Sequence, residues 1–187
     1  MKKTVNKILV VALMLGTLSA GANTRFDGGV SKNSKLINKG SHIIITDHNG
    51  TVLYSGELKT SNDLTKIYDF SHLKNGIYSI EISKGYEIEL TSIEIKNQMV
   101  KHLPESKIKL FKPVVRTEEN KIIISKIATG TKAMSVKLYF EDELIYEDTV
   151  KGDAVLNRVY QLDNIKRGSY TAVITSDERV YKENFEI

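Results

Sequence analysis

Apolar and polar positions alternate along most of this chain. In Gly76–Ile82 (GIYSIEI), Tyr78, Ile80 and Ile82 share one parity, while Ser79 and Glu81 take the other. The stretch Gly168–Ile174 repeats the pattern with Tyr170, Ala172 and Ile174. A period of two, written in aromatic and β-branched residues, predicts half-buried strands. In His42–Leu58 (HIIITDHNGTVLYSGEL), two apolar runs flank Asn49-Gly50. That arrangement predicts a hairpin closed by a type I′ turn. Two more strand-like runs, Ile108–Arg116 (IKLFKPVVR) and Asn120–Ile127 (NKIIISKI), are separated by Glu118-Glu119-Asn120. Outside the N-terminal stretch, no window of about 11 residues carries a helical period.

The two alternating stretches belong to a longer internal match. His42–Ile95 lies on Met134–Ile187 without a gap at an offset of 92, with ten identities in 54 positions. Tyr54/Tyr146, Tyr68/Tyr160, Gly76/Gly168, Tyr78/Tyr170 and Ile82/Ile174 are among them, and Phe70/Leu162 and Leu73/Ile165 exchange like for like. Two copies predict two units of one fold, because a stacked solenoid needs three or more repeats. Each unit holds about six or seven strands, the density of a β-sandwich. Within each, Tyr68 and Phe70 (Tyr160 and Leu162) are expected to face inward from one strand. Leu73 (Ile165) then drops from the following turn into the end of the core. Gly76 and Gly168 supply positive φ where the chain reverses. Tyr78 and Tyr170 are expected to bury their rings while each hydroxyl bonds back to the connecting backbone. Between the copies, Asn97–Lys107 is polar and holds Pro104, which predicts a linker.

The order of an apolar residue followed by x-x-Gly-x-Tyr-x-aliphatic resembles the tyrosine corner of immunoglobulin-like domains. The fold class that follows is all-β: two tandem immunoglobulin-like antiparallel sandwiches, over residues 23–96 and 108–187. A narrower resemblance rests on Val52-Leu53-Tyr54, Asp69-Phe70-Ser71, Leu73, Gly76 and Tyr78. This run resembles the C-terminal sorting domain of type IX secretion cargo in Bacteroidetes, and is similar to small secreted immunoglobulin-like proteins of unknown function from the same bacteria. Leu144-Ile145-Tyr146, Leu162-Asp163, Ile165, Gly168 and Tyr170 match the same pattern more loosely. The resemblance implies a secreted chain, with one sandwich, taken as the second, acting as the sorting module.

Composition then narrows the function classes. The first 22 residues carry three lysines, an apolar run from Ile8 to Leu15, and a small-residue end at Ala20-Gly21-Ala22. That is the layout of a cleaved secretory signal, and the apolar run is too short to span a bilayer. The expected address is export through the Sec pathway to the periplasm, the cell surface or the medium, with no membrane span in the mature chain. The whole chain has 27 Lys+Arg against 23 Asp+Glu; without the three signal lysines the balance is 24 against 23. No long basic run remains, which excludes an electrostatic footprint for nucleic acid. There is no cysteine, so no disulfide stabilises the export-bound chain and no thiol serves as a nucleophile.

Candidate chemistry is sparse. The four histidines, His42, His48, His72 and His102, all fall in the first half; His42 and His48 share a strand parity, without a carboxylate at ligand spacing on the same face. Asp47–Gly50 lacks the distal acid and the oxygen count of a calcium loop. The acids Glu141–Glu143, with Glu147 and Asp148 nearby, read as solvated hairpin charges, not as a glycosidase pair. No nucleophile elbow or phosphate loop is present. The expected protein is therefore not an enzyme, uses no cofactor or metal, and acts by binding an unknown protein or glycan, or by structural contact, at the envelope. Tyr86, Tyr139 and Tyr181 lie outside the shared tyrosine set and are the candidates for a binding face. An inhibitor or an enzyme built on the sandwich loops is the alternative.

Overall fold

The computed structural model describes residues 36–162 and 166–187. The expected signal segment lies outside them, as does Ile165. Among the described residues, fourteen strands and one helical turn build two units, and every strand pairing is antiparallel. The first unit comprises β1 (Leu36–Ile37), β2 (His42–Thr46), β3 (Val52–Glu57), β4 (Asn62–Asp63), α1 (Leu64–Ile67), β5 (Gly76–Lys84), β6 (Glu87–Lys96) and β7 (Met99–Phe111). The second comprises β8 (Val114–Glu118), β9 (Lys121–Ile127), β10 (Ala133–Phe140), β11 (Glu143–Lys151), β12 (Val155–Gln161), β13 (Ser169–Ser176) and β14 (Arg179–Glu186). Among the described residues, no helix is long and apolar enough to cross a membrane.

Alternation explains the sheets directly. The first unit is a five-stranded sheet in the order β3-β2-β5-β6-β7. Its register aligns Ile43 with Ile82, Ile45 with Ile80, and Tyr78 with Ile93, so one parity of each strand forms a continuous apolar face. The short β1–β4 ribbon, α1 and the segment through Phe70 and Leu73 complete that core. In the second unit, the four-stranded sheet β11-β10-β13-β14 faces the three-stranded sheet β12-β9-β8. Met134, Val136 and Leu138 from one sheet meet Ile122, Ile124 and Leu156 from the other, with Ala172 and Ile174 beside them. Each fully buried Ile or Leu removes enough apolar surface from water to contribute about 1.5–3 kcal/mol. Strands β2, β3, β5 and β6 take the same places in their sheet as β10, β11, β13 and β14 in theirs.

Three expectations change here. First, Asn97–Lys107 is not a linker: Asn97 and Gln98 make the turn, and Met99–Phe111 runs as β7 against β6. Its polarity reflects an edge position, where charged side chains and Pro discourage pairing with other chains. A register shift between Leu90 and Ser92 accommodates Pro104, and Ser106 holds it there, donating to Leu103 O at 2.6 Å and accepting from Ser92 N at 2.7 Å. The strand expected over Ile108–Arg116 is divided at the buried Pro113 between β7 and β8. Second, Tyr68 and Phe70 do face inward, but from the end of α1 and not from a strand. Third, only Gly50 of the Asn49-Gly50 pair takes positive φ, at 80°. Asp47 accepts from Gly50 N, Asn49 N and Thr51 N, and a register shift at Ile45/Thr46 makes a wider, bulged turn in place of type I′.

Only Lys112 and Pro113 connect β7 to β8, so the units are close-coupled. Lys112 N donates to Tyr86 O at 2.8 Å. Across the junction, the Arg179 guanidinium grips both oxygens of Glu81, at 2.8 and 3.2 Å. A forked, partly desolvated pair of this kind fixes orientation as well as distance.

Candidate functional site

The shared signature residues form structure, and the two copies do it alike. Tyr78 is buried and donates its hydroxyl hydrogen to Lys74 O at 2.8 Å; Tyr170 does the same to Lys166 O at 2.9 Å. Both preceding glycines lie at positive φ, 159° for Gly76 and 152° for Gly168. Tyr54 packs on Tyr68 and Tyr68 edge-on against Phe70, with ring centroids 5.9 and 5.0 Å apart. Tyr146 meets Tyr160 edge-on at 5.5 Å. Leu73 and Ile82 pack against the first core, Leu162 against the second, and Ile174 is fully buried. Burial, and then the carboxylate of Asp148, push the Tyr160 phenol well above its ordinary value. Removing either corner hydroxyl, as Tyr78→Phe or Tyr170→Phe, is expected to cost about 1 kcal/mol by urea unfolding with an unchanged m-value, the loss of one neutral hydrogen bond.

The titratable candidates do not converge. His42 Nε2 lies 3.4 Å from Ser55 Oγ, His72 pairs with Asp69 at 3.5 Å, and His48 sits exposed in the hairpin turn. His102 is on β7 with its Nε2 buried and unbonded among the described residues. No group of three His, Asp or Glu among the described residues could hold a metal ion. The acids of the β10–β11 hairpin are dispersed: Glu141 accepts from Ser169 N, Glu147 pairs with Lys137 at 3.4 Å, and Asp148 pairs with Arg158 at 2.9 Å. Glu141 and Asp142 hold φ of 47° and 65°, so a type I′ turn forms here without glycine. The three unshared tyrosines also separate. Tyr139 is a half-buried strand residue, and Tyr181 packs on the second core with its hydroxyl buried and pushed up by burial. Tyr86 alone stands out, 60% exposed.

Tyr86 marks the site that sequence reasoning located only in part. It forms one wall of a groove of about 360 Å³ between the two units. Glu87, Phe111 and Lys112 continue that wall. The floor is the outer face of the three-stranded sheet: Val114 on β8, Ser125 and Ile127 on β9, Val155 on β12. β9 sends Ile122, Ile124 and Lys126 inward, and this leaves Ile127 48% exposed beside Val155 at 57%. Glu87 is engaged by Lys109 at 2.9 Å, and that ammonium also sits over the Phe111 ring at 5.6 Å. Inside the second unit, next to the groove, Lys126 is sealed from solvent and paired with Asp177 at 2.7 Å. A concave apolar site at a domain junction, with few polar groups, is the form that small-ligand sites take. No sequence signal could have assembled it, because its walls come from four separate segments.

Comparison with known proteins gives one family. Residues 29–97 match the family described as the secretion system C-terminal sorting domain, of the type IX system. The match covers Val52-Leu53-Tyr54, Asp69-Phe70-Ser71, Leu73, Gly76 and Tyr78, and so lies on the first unit and not on the second sandwich expected to carry the address. No curated protein matches the chain.

Proposed function

We propose that the protein is cargo of the type IX secretion system, carried to the cell surface or beyond, where it acts by binding and not by catalysis. The family match over residues 29–97 carries the first half of this reading. It supports the unit built around Tyr78 as the address, with the second sandwich, residues 114–187, as the working part. That no group of three His, Asp or Glu among the described residues could hold a metal ion is consistent with binding as the mode of action. The apolar groove at the junction supports it further.

Fractionation of the native cells with intact-mass analysis tests the reading. A surface or medium species that disappears when the outer-membrane secretion apparatus is inactivated is the expected result. Deleting residues 29–97 should retain the second unit in the periplasm. A soluble periplasmic species spanning Asn23–Ile187, unaffected by loss of the apparatus, would falsify the proposal.

A further inference from the structure

The junction groove carries one charge that no described residue balances. Of its ionisable lining residues, Glu87 is neutralised by Lys109 and Lys126 by Asp177. Lys112 remains. Its backbone N–H is fixed to Tyr86 O, the residue is half-buried, and no carboxylate pairs with its ammonium among the described residues. An unpaired ammonium beside apolar surface gains most from an anion that brings its own apolar body.

We propose that the groove is a binding site for a small amphipathic anion. An aromatic or aliphatic body lies on Val114, Ile127 and Val155, between Tyr86 and Phe111, and its single anionic group, carboxylate or sulfonate, meets Lys112. The volume, about 360 Å³, falls within the range of roughly 300–1,000 Å³ usual for small-ligand sites. The charge balance selects a monoanion over a neutral or cationic ligand. Both units contribute walls, so the Arg179–Glu81 fork that joins them also holds the groove in shape. This deepens the binding role proposed above, but its test uses purified protein and is independent of the export route.

The probe is 8-anilinonaphthalene-1-sulfonate, an aromatic body with one anionic group, titrated into the folded full chain. One saturable site per molecule is expected. Lys112→Met should weaken it at least about tenfold, the loss of one charge-assisted contact. Ile127→Asn should weaken it comparably through the floor. Val52→Ser, which alters an exposed apolar residue on β3 of the first unit, should leave it unchanged. Melting temperatures of the variants verify folding, and the neutral N-phenyl-1-naphthylamine should bind without regard to Lys112. Absence of a saturable site overturns the proposal. So does binding that survives both Lys112→Met and Ile127→Asn, or a Lys112 effect equal for the two probes.

Discussion

Asp177→Ala is expected to lower the unfolding free energy by on the order of 3–5 kcal/mol, the cost of stranding one member of a buried ion pair. The reason lies in β9, whose alternation sends Ile122, Ile124 and Lys126 into the second core. The Lys126 side chain is fully buried and that of Asp177 is 6% exposed, so water cannot replace the missing carboxylate. Ile127 O accepts from the ammonium only at 3.4 Å. The carboxylate is doubly committed, since Asp177 Oδ1 also accepts from Thr131 N at 2.7 Å. Burial pushes its pKa up, but the Lys126 and Thr131 hydrogen bonds outweigh burial and hold it below the usual carboxylate range. The stabilisation from a depressed carboxyl is therefore complete above the unfolded value of about 4, and is lost as pH falls through the lower folded value. In Asp177→Asn, that part of the acid limb should vanish from a plot of stability against pH. The double variant Lys126→Met/Asp177→Asn should recover most of the stability, because two well-packed neutral groups need no desolvated pair. Urea unfolding of the three variants at neutral pH checks this. A near-neutral Asp177→Ala would mean that the ammonium finds water.

Lys126 also shows where sequence reading stops. NKIIISKI reads as a strand whichever parity faces in, and a lysine inside it gives no sign that it points to the core. Its partner lies in the β13–β14 turn, 51 positions away. The same holds for Glu81 and Arg179, one on each unit, whose pairing no local pattern announces. Legible features were those written in periodicity or in conformationally special residues: the alternating strands that follow Gly76 and Gly168 with their inward parity, the backbone-bonded tyrosines Tyr78 and Tyr170, and both glycines at positive φ. Local rules misled where composition was read without position. Asn97–Lys107 is polar because it lies at a sheet edge, and it keeps its pairing although Pro104 interrupts it. Asn49-Gly50 lost its type I′ turn to Asp47, whose side chain accepts from two backbone N–H groups and widens the loop. The groove was half legible. Tyr86 is conspicuous as an unshared aromatic residue, but its opposing floor depends on how two units meet.

Gly168→Ala should cost about 2–4 kcal/mol, and Gly76→Ala only about 1 kcal/mol, although the two glycines occupy the same position in the two copies. Both hold φ in the region that favours glycine, 152° and 159°, so both variants incur the backbone term. The difference is steric. A Cβ at Gly76 meets nothing nearer than Tyr78 Cε2 at 3.8 Å, an ordinary contact. A Cβ at Gly168 would lie 2.9 Å from Phe140 Cε2 and closer still to the Glu141 carboxylate, which is held in place by Ser169 N. The cause can be traced to the hairpins. β10 runs on to Phe140, which pairs with Tyr170, whereas β2 stops at Thr46, and the positions equivalent to Phe140 and Glu141 are the exposed turn residues His48 and Asn49. The longer hairpin of the second unit lies over its tyrosine corner, with the Phe140 and Tyr170 rings 4.9 Å apart. Trimming Phe140 to Leu should therefore relieve part of the Gly168→Ala cost, a coupling measurable by a double-mutant cycle in urea. Equal losses at the two glycines, with no coupling to Phe140, would leave backbone strain as the whole effect and remove the second hairpin's hold on its corner.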